Sequence, residues 1–145
     1  MKIIVLYGKG NTGKSTAIRR FYDNYVKDNS LFAVIKDNIG ALDLRLRATY
    51  KGKTIGIFSH GDNEWVVKDG FDFVGECDVV ICACRSKGAA MDFIKRKTKE
   101  IVWIEKSTIG AEIGVISDAD INWMRSEQAN DTAARINLLL QLLAK

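Results

Sequence analysis

The chain has 145 residues, of which 47% are hydrophobic and 28% charged, and its formal net charge is +4. That balance excludes a disordered chain, and the length is enough to bury a core without metal or disulfide staples, so a single domain over 1–145 is expected. Three cysteines, an odd number, exclude a disulfide framework and fit a reducing, cytoplasmic setting. No apolar run reaches membrane-spanning length, and the N-terminal run is too short for a signal peptide. The basic residues are dispersed rather than gathered into the dense, aromatic-interleaved stripe that nucleic acid requires, so a nucleic-acid partner is not expected.

Lys2–Tyr7 is a short β-branched run with no polar face, which predicts a parallel strand covered on both sides. Gly8, Lys9, Gly10, Asn11, Thr12, Gly13, Lys14, Ser15 and Thr16 follow, and they match G-x-x-x-x-G-K-[ST], the Walker A pattern. Glycines in such a loop let the backbone turn its N–H groups inward at the positive end of the next helix, and phosphate suits that nest. Lys14 would reach the β- and γ-phosphates, Ser15 would hold magnesium, and Thr16 adds a hydroxyl near the α-phosphate. A helix is expected from Lys14 to about Asp28, with Ala17, Ile18, Phe21, Tyr22, Tyr25 and Val26 on its apolar face.

Leu31–Ile35 reads as the second strand, closing on Lys36 and Asp37. Leu42–Tyr50 alternates apolar and polar residues, which predicts a half-exposed edge strand, and Thr54–Ser59 returns from it as a buried strand to make a hairpin. That arm ends in His60-Gly61-Asp62, an acid after an apolar strand, the arrangement in which a carboxylate stands beside magnesium. Asp62 is preferred over Asp37 for this role because its strand is the more central. A helix is expected from Asn63 to about Gly75, a buried strand over Asp78–Cys84 ending at Arg85, a helix over Ser86–Lys97 and a strand over Glu100–Ile104. Glu112–Ile116 reads as a short strand, and Ser126 as the cap of a last helix with Ala129, Ala133, Ile136, Leu139, Leu140 and Leu143 inward. The cysteines read as core. Trp65, Trp103 and Trp123 read as packing residues, and Trp123, after the acidic turn, is the one to check as a base-stacking platform.

Alternating strands and helices imply an α/β three-layer sandwich with a mostly parallel sheet of about five to six strands and one antiparallel edge strand. Ligands then bind at the carboxyl ends of the strands, where the loop after Tyr7, Asp37, the Ser59-to-Asp62 turn and Arg85 are expected to share a rim.

The motif and the strand–helix order resemble P-loop NTPases. Lys9-Gly10-Asn11-Thr12-Gly13-Lys14-Ser15 resembles the deviant Walker A of the signature-lysine ATPases, although Asn11 stands where their pattern has glycine. That resemblance implies Mg-ATP, hydrolysis as a conformational switch, and an ATP-dependent homodimer in which Lys9 reaches the partner's phosphates. Alternatively, Lys9 is a solvated loop charge. Small nucleoside and nucleotide kinases are the other resemblance. There Asp62 would orient an acceptor hydroxyl, and Arg85, Arg96 or Arg125 would stabilise the moving phosphoryl group. A nucleotide-binding module without turnover, docking a protein partner through the basic helix around Lys95, is the third reading.

Overall fold

The computed structural model describes residues 1–10, 12–106 and 115–145. Asn11 and most of the strand expected over 112–116 lie outside the described residues. The strands are β1 (Lys2–Gly8), β2 (Phe32–Ile39), β3 (Leu44–Tyr50), β4 (Lys53–Phe58), β5 (Val79–Arg85) and β6 (Ile101–Glu105). The helices are α1 (Lys14–Phe21), continued by a π-helical turn over Tyr22–Val26, then α2 (Glu64–Val74), α3 (Ala89–Lys97) and α4 (Asp118–Leu143).

One six-stranded sheet runs in the order β2-β3-β4-β5-β1-β6. β1 pairs in parallel with β5 and β6, and β4 in parallel with β5, whereas β2–β3 and β3–β4 are antiparallel. The fold is therefore α/β and mostly parallel, with β3 alone running against the rest. β1 is covered on both faces, as its lack of a polar side requires. Ile4 and Leu6 enter one apolar cluster with Ile18 and Phe21 of α1 and Ile136 and Leu140 of α4. Ile3 and Val5 enter another with Val67 and Phe71 of α2 and Ile94 of α3. Cys77, Cys82 and Cys84 are buried free thiols, as expected of core residues.

Four expectations are corrected. The antiparallel strand is second from the edge, and β2 is the edge. The alternation in β3 separates its two faces: Leu44, Leu46, Ala48 and Tyr50 are buried in the core, while Arg45, Arg47 and Thr49 on the opposite face are polar and partly exposed. On that face Arg45 pairs with Asp69 at 2.5 Å, and Arg47 donates to the carbonyls of Val74 and, at 2.8 Å, Glu76. A polar face bonded partly to a neighbouring helix leaves the same period-two signature as one facing water. β2 also continues past Lys36 and Asp37 to Ile39, with a bulge between Val34 and Lys36 and with Val34 and Ile35 more than half exposed.

The last helix starts at Asp118 rather than at Ser126, because Ser117 is its cap: its Oγ accepts the Asp120 N–H at 3.1 Å. Asp118 and Asp120 stand in the first turn of this helix, where carboxylates complement the helix dipole. Finally, two of the three tryptophans do not pack. Trp65 is 74% exposed and Trp123 63%, whereas Trp103 lies edge-on to Tyr7 with ring centroids 5.7 Å apart. Among the described residues no helix is long and apolar enough to cross a membrane.

Candidate functional site

The carboxyl ends of β1, β4 and β5 share one rim of the sheet, and the loop leaving β1 turns there into α1. Gly13 has φ +85°, the left-handed conformation that glycine adopts without strain, and Lys14 opens the helix immediately after it. Thr12 closes the loop by donating its hydroxyl to Lys9 O at 2.9 Å. The Lys14 ammonium folds back beneath it. It donates to Lys9 O at 2.7 Å and Gly8 O at 3.1 Å and lies 3.4 Å from Thr12 Oγ1.

All three of those acceptors are neutral oxygens, and the Lys14 side chain is buried. Burial pulls its pKa below the usual lysine value; Asp62 opposes that shift and Arg85 adds to it. A desolvated cation held by uncharged groups is a place where an anion is strongly favoured.

Beside the cation lies an oxygen-rich cluster. Ser15 Oγ is 3.2 Å from Ser59 O and 3.4 Å from Asp43 Oδ1. Ser59 Oγ donates to the same Asp43 oxygen at 3.1 Å and accepts the Leu44 N–H at 2.9 Å, so the start of β3 and the end of β4 are tied together there. His60 stands between two acids, with Nε2 3.2 Å from Asp62 Oδ2 and Nδ1 4.0 Å from Asp43 Oδ2. Gly61 makes this turn possible, because a Cβ there would overlap the Ala83 carbonyl oxygen and lie 2.5 Å from its carbon.

The structure thus brings together Lys14, Ser15, Thr16 and Asp62, all lining one cavity of about 480 Å³ with Thr12, Gly13 and Asp43. Gly8 and Gly10 frame the loop: Gly8 is buried against Thr12 and the Lys106 carbonyl, and Gly10 lies under the Arg85 guanidinium, where a Cβ would meet Nη2 at 3.3 Å. Arg85 therefore crosses the loop from the end of β5, and Lys9 presents an exposed side chain. Asp37 is exposed on the edge strand and is not part of the cavity lining, nor are Arg96 and Arg125. Arg96 lies 3.8 Å from Glu64.

Asp43 is the residue that sequence reading missed. It passed for the first polar position of an alternating strand, yet it lies before β3 begins, and its carboxylate faces Ser15 across 28 residues of chain. Its one local signal is the segment Gly40-Ala41-Leu42-Asp43, a glycine-led turn ending in an acid. Compared with protein-family models, with curated proteins and with solved structures, the chain matches none.

Proposed function

We propose that the chain is a P-loop NTPase that binds Mg-ATP and hydrolyses it as a conformational switch. The observation that carries this reading is Lys14, a buried ammonium with only neutral partners at the mouth of a glycine loop and the N-terminus of α1. Triphosphate would replace the Gly8 and Lys9 carbonyls as its partner, and the free N–H groups of the first turn of α1 would hold the remaining oxygens.

The donor set fits magnesium, which takes hard oxygens from one or two protein groups and the rest from phosphate and water. Ser15 would bind it directly, and Asp43 and Asp62 would order its water ligands. Among the described residues no group of three or more His, Cys, Asp or Glu side chains is arranged as a metal cage. The metal, when bound, neutralises charge developing on the phosphates. Lys14 and Arg85 would do the same from the protein side, and Asp62 or Asp43 would orient the attacking water. Lys9, exposed at the loop, is available to a second copy of the chain.

The test is phosphate release from Mg-ATP together with light scattering at saturating nucleotide. The switch reading expects slow turnover and a dimer that Lys9→Ala abolishes; a monomer under those conditions removes the dimer. A small kinase is the second reading, because the cavity continues along α1 to Arg19 and Arg20 and past the exposed Leu42, beyond what phosphates alone occupy. It would be supported by ADP production that rises with a hydroxyl-bearing acceptor in step with a phosphorylated product.

Asp43→Asn keeps the hydrogen bond from Ser59 and removes the charge facing the metal. The half-saturating magnesium concentration for ATP binding should rise by about tenfold, the scale of losing a supporting ligand around a metal. An unchanged magnesium dependence would leave Asp62 as the relevant acid.

A further inference from the structure

α1 and α4 lie side by side and run the same way. Arg20 of α1 reaches across to Asn130 Oδ1 at 2.7 Å and Ser126 Oγ at 3.3 Å, and one turn further along, Asn24 and Tyr25 share a surface pocket with Asn137 and Gln141. This pairing fixes what stands opposite the phosphate loop. Four residues before Arg20, one turn up α1, is Thr16, which lines the cavity. Seven residues before Asn130, on the same stripe of α4, is Trp123.

At a rise of about 1.5 Å per residue, Trp123 stands about 10 Å before Asn130 and about 4.5 Å before Ser126 along the axis of α4, level with the Thr16 turn of α1. Trp123 is 63% exposed, and its place three residues before Ser126 and seven before Asn130 puts it on the helix stripe that meets Arg20 of α1. α4 begins at Asp118, so Trp123 lies in its second turn, near the N-terminus of the helix.

Resting on the proposed binding of a nucleoside triphosphate, we infer that Trp123 is the platform on which the nucleobase stacks. The phosphates would occupy the loop at Lys14, the chain would leave past Thr16, and the base would come to rest between α1 and the N-terminal turns of α4. An indole offers a large, rigid π-face there, and stacking on an aromatic ring serves any base. Trp123 therefore adds affinity for nucleotides over bare polyphosphate and contributes little to the choice among bases.

The experiment compares Mg-ATP with magnesium tripolyphosphate, which carries the same anionic chain and no base, on the full-length protein. Trp123→Ala should weaken ATP binding about tenfold and leave tripolyphosphate unchanged, and Trp123→Phe should recover most of the loss. ATP should quench part of the tryptophan emission of the native protein and lose that effect in Trp123→Phe; tripolyphosphate should not quench it in either. Equal weakening of both ligands in Trp123→Ala, or no weakening of ATP, would overturn the platform while leaving the phosphate loop in place. A native protein that binds neither ligand overturns the phosphate-loop reading itself, and the platform with it.

Discussion

Lys14→Ala is expected to weaken Mg-ATP and tripolyphosphate binding alike by about 100-fold or more, because truncating one partner of a buried charged contact leaves the other charge unpaired. Phosphate release should fall to background. The variant should nevertheless fold at least as well as the native chain. In the unliganded protein the ammonium is desolvated among the neutral oxygens of Gly8, Lys9 and Thr12, so alanine removes a buried charge and not an ion pair.

The sign of the pH dependence follows from the lowered pKa of Lys14. Below that lowered value the lysine is charged in both folded and unfolded states, and the full destabilisation is present. Between the folded value and the ordinary lysine value the unfolded state binds more protons, so native stability rises with pH. The melting temperature of Lys14→Ala should match or exceed that of the native protein at neutral pH, and the gap should narrow as pH climbs through that window. Calorimetry at several pH values and ligand titration at one measure both halves; a variant that loses stability at neutral pH would mean that an anion or acid already pairs with Lys14. Lys14→Arg should not restore binding, since the guanidinium is broader than the ammonium and does not fit beneath two carbonyls.

Gly61→Ala should be the most disruptive single-methyl change in the site. The new Cβ would press into the backbone of Ala83 and lie 3.0 Å from Cys84 Cα, so rigid strand atoms of β5, not a flexible side-chain tip, would have to move. The expected loss is about 3 kcal/mol, the upper end for overpacking, which for a chain of this size lowers the melting temperature by roughly 10 °C. Because Gly61 separates His60 from Asp62, the displaced turn should also weaken magnesium-dependent ATP binding. Gly52→Ala is the control. Gly52 has φ +81° but nothing within 4 Å of its added Cβ, so it tests backbone strain without a clash and should cost about 1 kcal/mol. Similar denaturation midpoints for the two variants would show that the 60–62 turn does not rest against β5.

The parts of the fold that could be read from sequence were those in which one physical cause leaves one pattern. β1 and β5 are apolar between Lys2 at one end and Arg85 at the other because helices cover both faces, and the glycine spacing before Lys14 and Ser15 is demanded by the turn itself. Where two causes leave the same pattern, the reading failed. β3 alternates like an edge strand, yet it lies one strand in, with Arg45 and Arg47 partly exposed and bonded to Asp69 and to the Val74 and Glu76 carbonyls. Ser117, Asp118 and Asp120 have the composition of a loop and the geometry of a capped helix start. Beyond its glycine-led turn Asp43 leaves no local mark, since its significance depends on meeting Ser15 and Ser59, and side-chain proximity between distant segments is set by strand order, which local periodicity does not encode.

The strand order also sets the sequence of events during synthesis. β2, β3 and β4 are consecutive neighbours, so each can pair with the one before it as the chain emerges. β1 is made first, yet both of its partners, β5 and β6, are made after residue 78, more than half the chain later. Until then an apolar strand with two unpaired edges waits on the ribosome with its glycine loop unframed. Contacts so separated in sequence close slowly, and exposed apolar strands invite wrong pairing. The glycine loop, made before most of what surrounds it, is among the last features to be framed, so the growing chain carries its hydrophobic hazard long before β5 and β6 arrive to cover it.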